Sequence, residues 1–175
     1  MSWQGLTAFG PVELNLDLIR GDEAPAEMIE IAFGLEGALQ KFYLTVINLV
    51  SDSQTVALLK NLVAVEEKHQ QMLLHEYAQI KNLDADAPQV LVNQLPEILE
   101  GGFRFSEFFS QNQEVMQTVS GVLDLALMLE IQALDLYLRF AFKTMEASTQ
   151  KVLFDLADQE KAHLSSLGKL AGTKN

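Results

Sequence analysis

Glu66-Glu67-Lys68-His69 and, further along, Glu160-Lys161-Ala162-His163 twice place a glutamate three residues ahead of a histidine. At 100° per residue, positions i and i+3 share a helix face, so each pair can grip one metal ion or two adjacent ones. The chain has three histidines and 15 glutamates among 175 residues, and chance gives two histidines this partner in about 2% of such sequences. The third, His75, lacks a Glu three positions before it and reads as a surface histidine. Thirty residues upstream of each pair stands another glutamate, Glu36 before Glu66 and Glu130 before Glu160, both inside otherwise apolar stretches.

Those stretches have helical spacing. Ile29, Ala32, Phe33, Leu39, Tyr43 and Ile47 recur at helical intervals, as do Leu59, Leu62, Val63, Leu73 and Tyr77. A first helix is expected after Gly21-Asp22-Glu23, with Pro25 in its first turn, running to about Val50. Ser51-Asp52-Ser53 caps a second, to about Ile80. A third fits Gln113 to Met145, and Ser148 or Thr149 caps a fourth that ends near Gly168. Short turns make the first and second helices, and the third and fourth, antiparallel neighbours. The span Lys81 to Asn112 must cross the length of the bundle. The expected fold is therefore all-α, a ferritin-like four-helix bundle over residues 23–175 with a long crossover between helices two and three.

The two halves repeat. Offset by 94 positions, Glu27–His75 aligns without a gap on Gly121–Lys169, with 11 of 49 positions identical against about 4 expected from composition. The matches include Glu36/Glu130, Tyr43/Tyr137, Glu66/Glu160 and His69/His163. Ahead of the bundle, Val12, Leu14, Leu16 and Leu18 alternate with polar residues, and residues 1–22 read as an extended arm. In the crossover, Phe103, Phe105, Phe108 and Phe109 form an aromatic cluster expected to pack onto the bundle. This cluster and the arm are the surfaces on which a homodimer would form.

Composition narrows the function. With 12 Lys plus Arg against 24 Asp plus Glu, the formal charge of -12 repels nucleic acid and anionic membranes. The absence of cysteine excludes disulfides, thiolate catalysis, iron–sulfur clusters and Cys-ligated zinc. No targeting segment and no membrane-spanning run shows, so a soluble, cytoplasmic protein is expected. A charged, unpaired Glu inside an apolar stripe costs several kcal/mol, so Glu36 and Glu130 must be protonated, ion-paired or metal-bound. Lys41 and Arg139 point elsewhere by helical phase. Four mid-helix glutamates and two histidines leave a pair of divalent cations as the least costly solution.

One Glu from each of two helices plus Glu-x-x-His from each of the other two resembles the ligand set of the ferritin-like di-iron carboxylate proteins. The thirty-residue intervals, and a Tyr seven residues after the first and third Glu, look most like the rubrerythrin branch. The likeness covers about Glu27 to Leu170. It implies that Glu66 and Glu160 bridge the metals while Glu36, His69, Glu130 and His163 are terminal ligands. It also implies two iron ions as cofactor, with manganese or zinc as substitutes of suitable ligand preference. Tyr43 and Tyr137 read as core aromatics, as hydrogen-bond donors to ligand carboxylates or as a stop for an electron. Two departures matter. Ala133 stands where rubrerythrins carry a further carboxylate, and without Cys there is no rubredoxin domain to deliver electrons. The likeness is thus to the wider rubrerythrin-like group, with an external electron donor. Trp3-Gln4-Gly5 resembles the last aromatic-x-Gly turn of a rhodanese, which would make the chain the C-terminal part of a rhodanese–rubrerythrin-type fusion.

The expected activity is an oxidoreductase that reduces hydrogen peroxide or dioxygen at a di-iron centre. Two other functions share the ligand set. One is a ferroxidase that handles iron, and the other is a non-enzymatic bundle stabilised by metal.

Overall fold

The computed structural model describes residues 22–83, 98–99 and 103–174. The arm up to residue 21, with Trp3-Gln4-Gly5 in it, and most of the crossover lie outside the described residues, as do the side chains of Phe103 and Phe105.

Four long helices carry the molecule: α1 (Pro25–Val46), α2 (Ser53–Lys81), α4 (Val119–Lys143) and α5 (Ala147–Lys174), with a short α3 (Phe105–Gln111) before α4. The described residues are mostly helical, and two two-residue strands among them, β1 (Ile98–Leu99) and β2 (Phe103–Arg104), pair antiparallel with β1 against α1. The closest packing is α1 on α2 and α4 on α5, with α2 also meeting α5 and α1 meeting α4. One continuous apolar core runs through all four, from Leu39 and Phe42 to Leu125, Leu129, Leu153 and Leu156. Among the described residues, no helix is long and apolar enough to cross a membrane.

Local chemistry sets the helix ends. Pro25 opens α1, where its missing N–H is no loss, and the Glu27 carboxylate accepts from the Ala24 N–H at 2.9 Å. The Asp52 carboxylate accepts from the N–H and hydroxyl of Thr55 at 2.9 and 2.7 Å, which starts α2. Asn82 ends α2 in the left-handed region at φ 51°.

Three boundaries differ from expectation. The first helix stops at Val46, and Ile47–Leu49 form a turn. The third begins at Val119 rather than Gln113, because Val115–Gln117 wind as a 3-10 turn and the Thr118 hydroxyl accepts from the Gly121 N–H at 3.0 Å. The fourth passes through Gly168 to Lys174, and neither Ser148 nor Thr149 caps it. Both hydroxyls instead donate to the buried Glu76 carboxylate of α2, at 2.8 and 2.9 Å. The crossover does pack onto the helices where it is described. Phe108 is buried edge-on to Phe42, and Phe109 lies against the core.

Candidate metal centre

Each long helix contributes to one buried cluster at the middle of the core: Glu36 from α1, Glu66 and His69 from α2, Glu130 from α4, Glu160 and His163 from α5. All six are buried, so all six residues singled out in the sequence meet in one place. The i, i+3 spacing works as anticipated, with His69 Nδ1 3.0 Å from Glu66 and His163 Nδ1 2.8 Å from Glu160.

The geometry has two halves. His69 Nδ1 lies 3.2 Å from Glu36, 3.0 Å from Glu66 and 3.3 Å from Glu160. His163 Nδ1 lies 3.1 Å from Glu130, 2.8 Å from Glu160 and 3.6 Å from Glu66. Glu66 and Glu160 each turn one oxygen to either imidazole, whereas Glu36 approaches only His69 and Glu130 only His163. Two carboxylates thus stand between the halves and one closes each end. The two imidazoles stack 5.4 Å apart at 20°.

These groups converge without fully satisfying one another. His69 Nδ1, both oxygens of Glu66, both of Glu160 and Glu36 Oε2 are buried with no aligned hydrogen bond. A buried polar atom with no well-made hydrogen bond costs about 1–3 kcal/mol, and a cation faced by all six would satisfy them better than two imidazoles can. Glu36, Glu66, His69 and Glu160 offer donor atoms all within 4.8 Å of one another, and Glu66, Glu130 and His163 do the same. The donor set fits a pair of divalent transition-metal ions.

The electrostatics show the strain of so many carboxylates. Burial pushes Glu130 up to about 8, aided by the neighbouring Glu160 carboxylate. Burial and the charge on Glu36 raise Glu66 well above the usual carboxylate range. In Glu160, burial is outweighed by the close approach of Glu130, His163 and His69, which pulls it down. Burial disfavours the charged imidazole of His163, yet Glu130 and Glu160 overcome this and hold it up at about 9. His69 is raised further, because Glu160, Glu36 and Glu66 surround it and prevail over burial. Protons therefore do in part what a cation would do fully.

The tyrosines cross over. Tyr43 of α1 donates to Glu130 of α4, and Tyr137 of α4 donates to Glu36 of α1 at 2.5 Å. Burial and the Glu130 charge raise the Tyr43 hydroxyl, which keeps it a donor. His75 is exposed and meets Gln79, and Glu67, Asp155 and Asp158 are off the cluster, the last two pairing with Lys151 and Lys161. Arg139 pairs with Asp135 on the outside.

Two contributing residues escape a reading of the sequence. Gln159 Oε1 stands 3.2 Å from His69 Nε2, across the boundary between the halves. Its position directly before Glu160 is the signal that could have found it. Glu76 sits one helical end away and anchors the start of α5 on α2. Comparison with protein-family models, curated proteins and solved structures returns no match.

Proposed function

We propose that this chain is a ferritin-like four-helix bundle holding two metal ions, iron foremost, and that it reduces hydrogen peroxide or dioxygen with electrons from an external donor protein in the cytoplasm. The observation that supports this is the convergence of four buried glutamates and two histidines, in which His69 Nδ1, Glu36 Oε2 and the oxygens of Glu66 and Glu160 have no aligned hydrogen bond. Two iron ions, when bound, supply the electron pair that reduction of peroxide to water consumes.

The residues of the chain have separable tasks. Glu66 and Glu160 hold the two positions together, because each presents one oxygen to either half. Glu36 and Glu130 close the ends, and the hydroxyls of Tyr137 and Tyr43 fix their carboxylates. The surrounding leucines and phenylalanines exclude water, which strengthens every charge interaction within. Burial of the whole cluster admits only a small oxidant, which favours peroxide or dioxygen over an organic substrate.

The test is elemental analysis of the purified chain, before and after anaerobic reconstitution with ferrous iron, alongside Glu66→Ala. About two iron per chain, lost in the variant together with peroxide and dioxygen turnover, is the expected result. Substoichiometric zinc, or no metal after reconstitution, would reject the di-iron reading in favour of a structural role. Turnover in the form of net ferrous oxidation without peroxide consumption would point to the iron-handling alternative.

A further inference from the structure

The 94-residue repeat makes the two halves of the cluster comparable position by position, and they are not equal. In the His69 half, the ring is fully buried and Nε2 faces Gln159 Oε1 at 3.2 Å. The amide of Gln159 is oriented by its own contacts, since Nε2 donates to the Asp155 carbonyl at 3.3 Å and lies 3.8 Å from Met72 Sδ. The oxygen is thereby aimed at the imidazole. A proton held at Nε2 leaves the Nδ1 lone pair pointing into the carboxylates, the tautomer a metal ligand requires. In the other half, the residue at the repeat position of Gln159 is Val65, which has no polar atom to offer His163. The His163 side chain is 8% exposed where His69 is 0%. Three carboxylates approach each imidazole, so the halves differ in the support behind the ring and not in the number of donors.

We propose that the two metal positions are unequal by construction: the His69 position is the tight, locked one, and the His163 position is the more exchangeable one, with Gln159 as the positioning residue that creates the difference. The inference rests on the reading of the cluster as a dinuclear centre. Its chemistry is ordinary for divalent ions, in which an outer hydrogen bond to a ligand imidazole changes affinity about 10–100-fold. The half with the fixed ring fills first and empties last.

The experiment is a titration of the metal-free full chain with Co(II), followed by visible absorption and calorimetry. Two separable steps are expected, one equivalent each, about tenfold or more apart. Proton NMR at the first equivalent should show one paramagnetically shifted imidazole N–H that exchanges slowly with water, the mark of His69 Nε2–H held by Gln159. Gln159→Leu should weaken the first step about 10–100-fold and make that resonance exchange fast, while Gln159→Glu, which keeps an acceptor oxygen, should retain both features. Val65→Gln, in the opposite half, should tighten the second step and narrow the gap, and it keeps the test available if Gln159→Leu fails to fold. Two equal steps in the unaltered chain, or a gap that neither Gln159→Leu nor Val65→Gln moves, would overturn the proposal while leaving the dinuclear centre standing. No Co(II) bound at all would overturn the dinuclear centre and the proposal with it.

Discussion

Tyr137 and Tyr43 show what a single hydroxyl does at the centre of the molecule. Each donates to the end carboxylate of the opposite half, and Glu36 Oε2 has no hydrogen bond of its own. Tyr137→Phe should therefore lower the stability of the metal-free chain by about 1–3 kcal/mol, read as a shift of the urea midpoint with unchanged m-value. Tyr43→Phe, which removes the matching bond on Glu130, should cost an amount in the same range. A loss below a few tenths of a kcal/mol would show that neither bond survives in solution. At this scale the sequence was informative about residue type and face. Glu-x-x-His and the stripe positions of Glu36 and Glu130 follow from helical phase alone, which is local. Which helix each tyrosine reaches is not local: phase says where Tyr43 points, but only packing says that Glu130 is there. Gln159 was hidden for the same reason, because a glutamine beside a glutamate on a helix is common until its partner from another helix is in view.

The helices are set by caps and by close approaches at their ends. A Cβ built on Gly121 would lie 1.9 Å from the Val115 carbonyl oxygen, so the entry to α4 has room only for glycine. Gly121→Ala should destabilise by about 1–3 kcal/mol. Gly168, on the exposed side of α5 with nothing within 4 Å, should behave oppositely, and Gly168→Ala should add about 0.5–1 kcal/mol. Denaturant melts of the two variants give both signs in one comparison. The Asp52 cap has a pH signature. Hydrogen bonds from Lys174 and Thr55 hold its carboxyl below the ordinary 3.8, at about 2. A lowered carboxylate contributes stability that is complete above its unfolded pKa and is lost as pH falls through the folded one. Asp52→Asn should accordingly differ from the parent at pH 5 and converge with it near pH 2, in urea melts at each pH. The long apolar periodicities made α1 and α2 legible from sequence. The start of α4 was not, because Gln113–Gln117 has a helix-compatible composition and only the Thr118 cap marks the break. The end of α5 was not, because an exposed glycine with no turn demanded of it does not stop a helix.

The whole molecule carries a formal charge of -12 and gathers four carboxylates at its centre, so bound cations should be felt by the entire fold. An ion at 100 times its dissociation constant adds about 2.7 kcal/mol, which for a chain of this size raises Tm by roughly 5–10 °C. Chelation should reverse this, and differential scanning calorimetry with and without chelator checks it. Protons compete for the same atoms: burial raises Glu130 to about 8, and against burial Glu130 and Glu160 hold His163 up at about 9. Loading should therefore release protons and be weaker at pH 6 than at pH 8, measurable by titration calorimetry in buffers of different ionisation enthalpy. The crossed tyrosines have one more consequence. Neither pair of helices can swing open alone without leaving a buried glutamate of the other pair stripped of its hydroxyl. Partial excursions thus carry that loss on top of the exposed core, and amide hydrogens deep in α1 and α4 should exchange with solvent on a single shared clock.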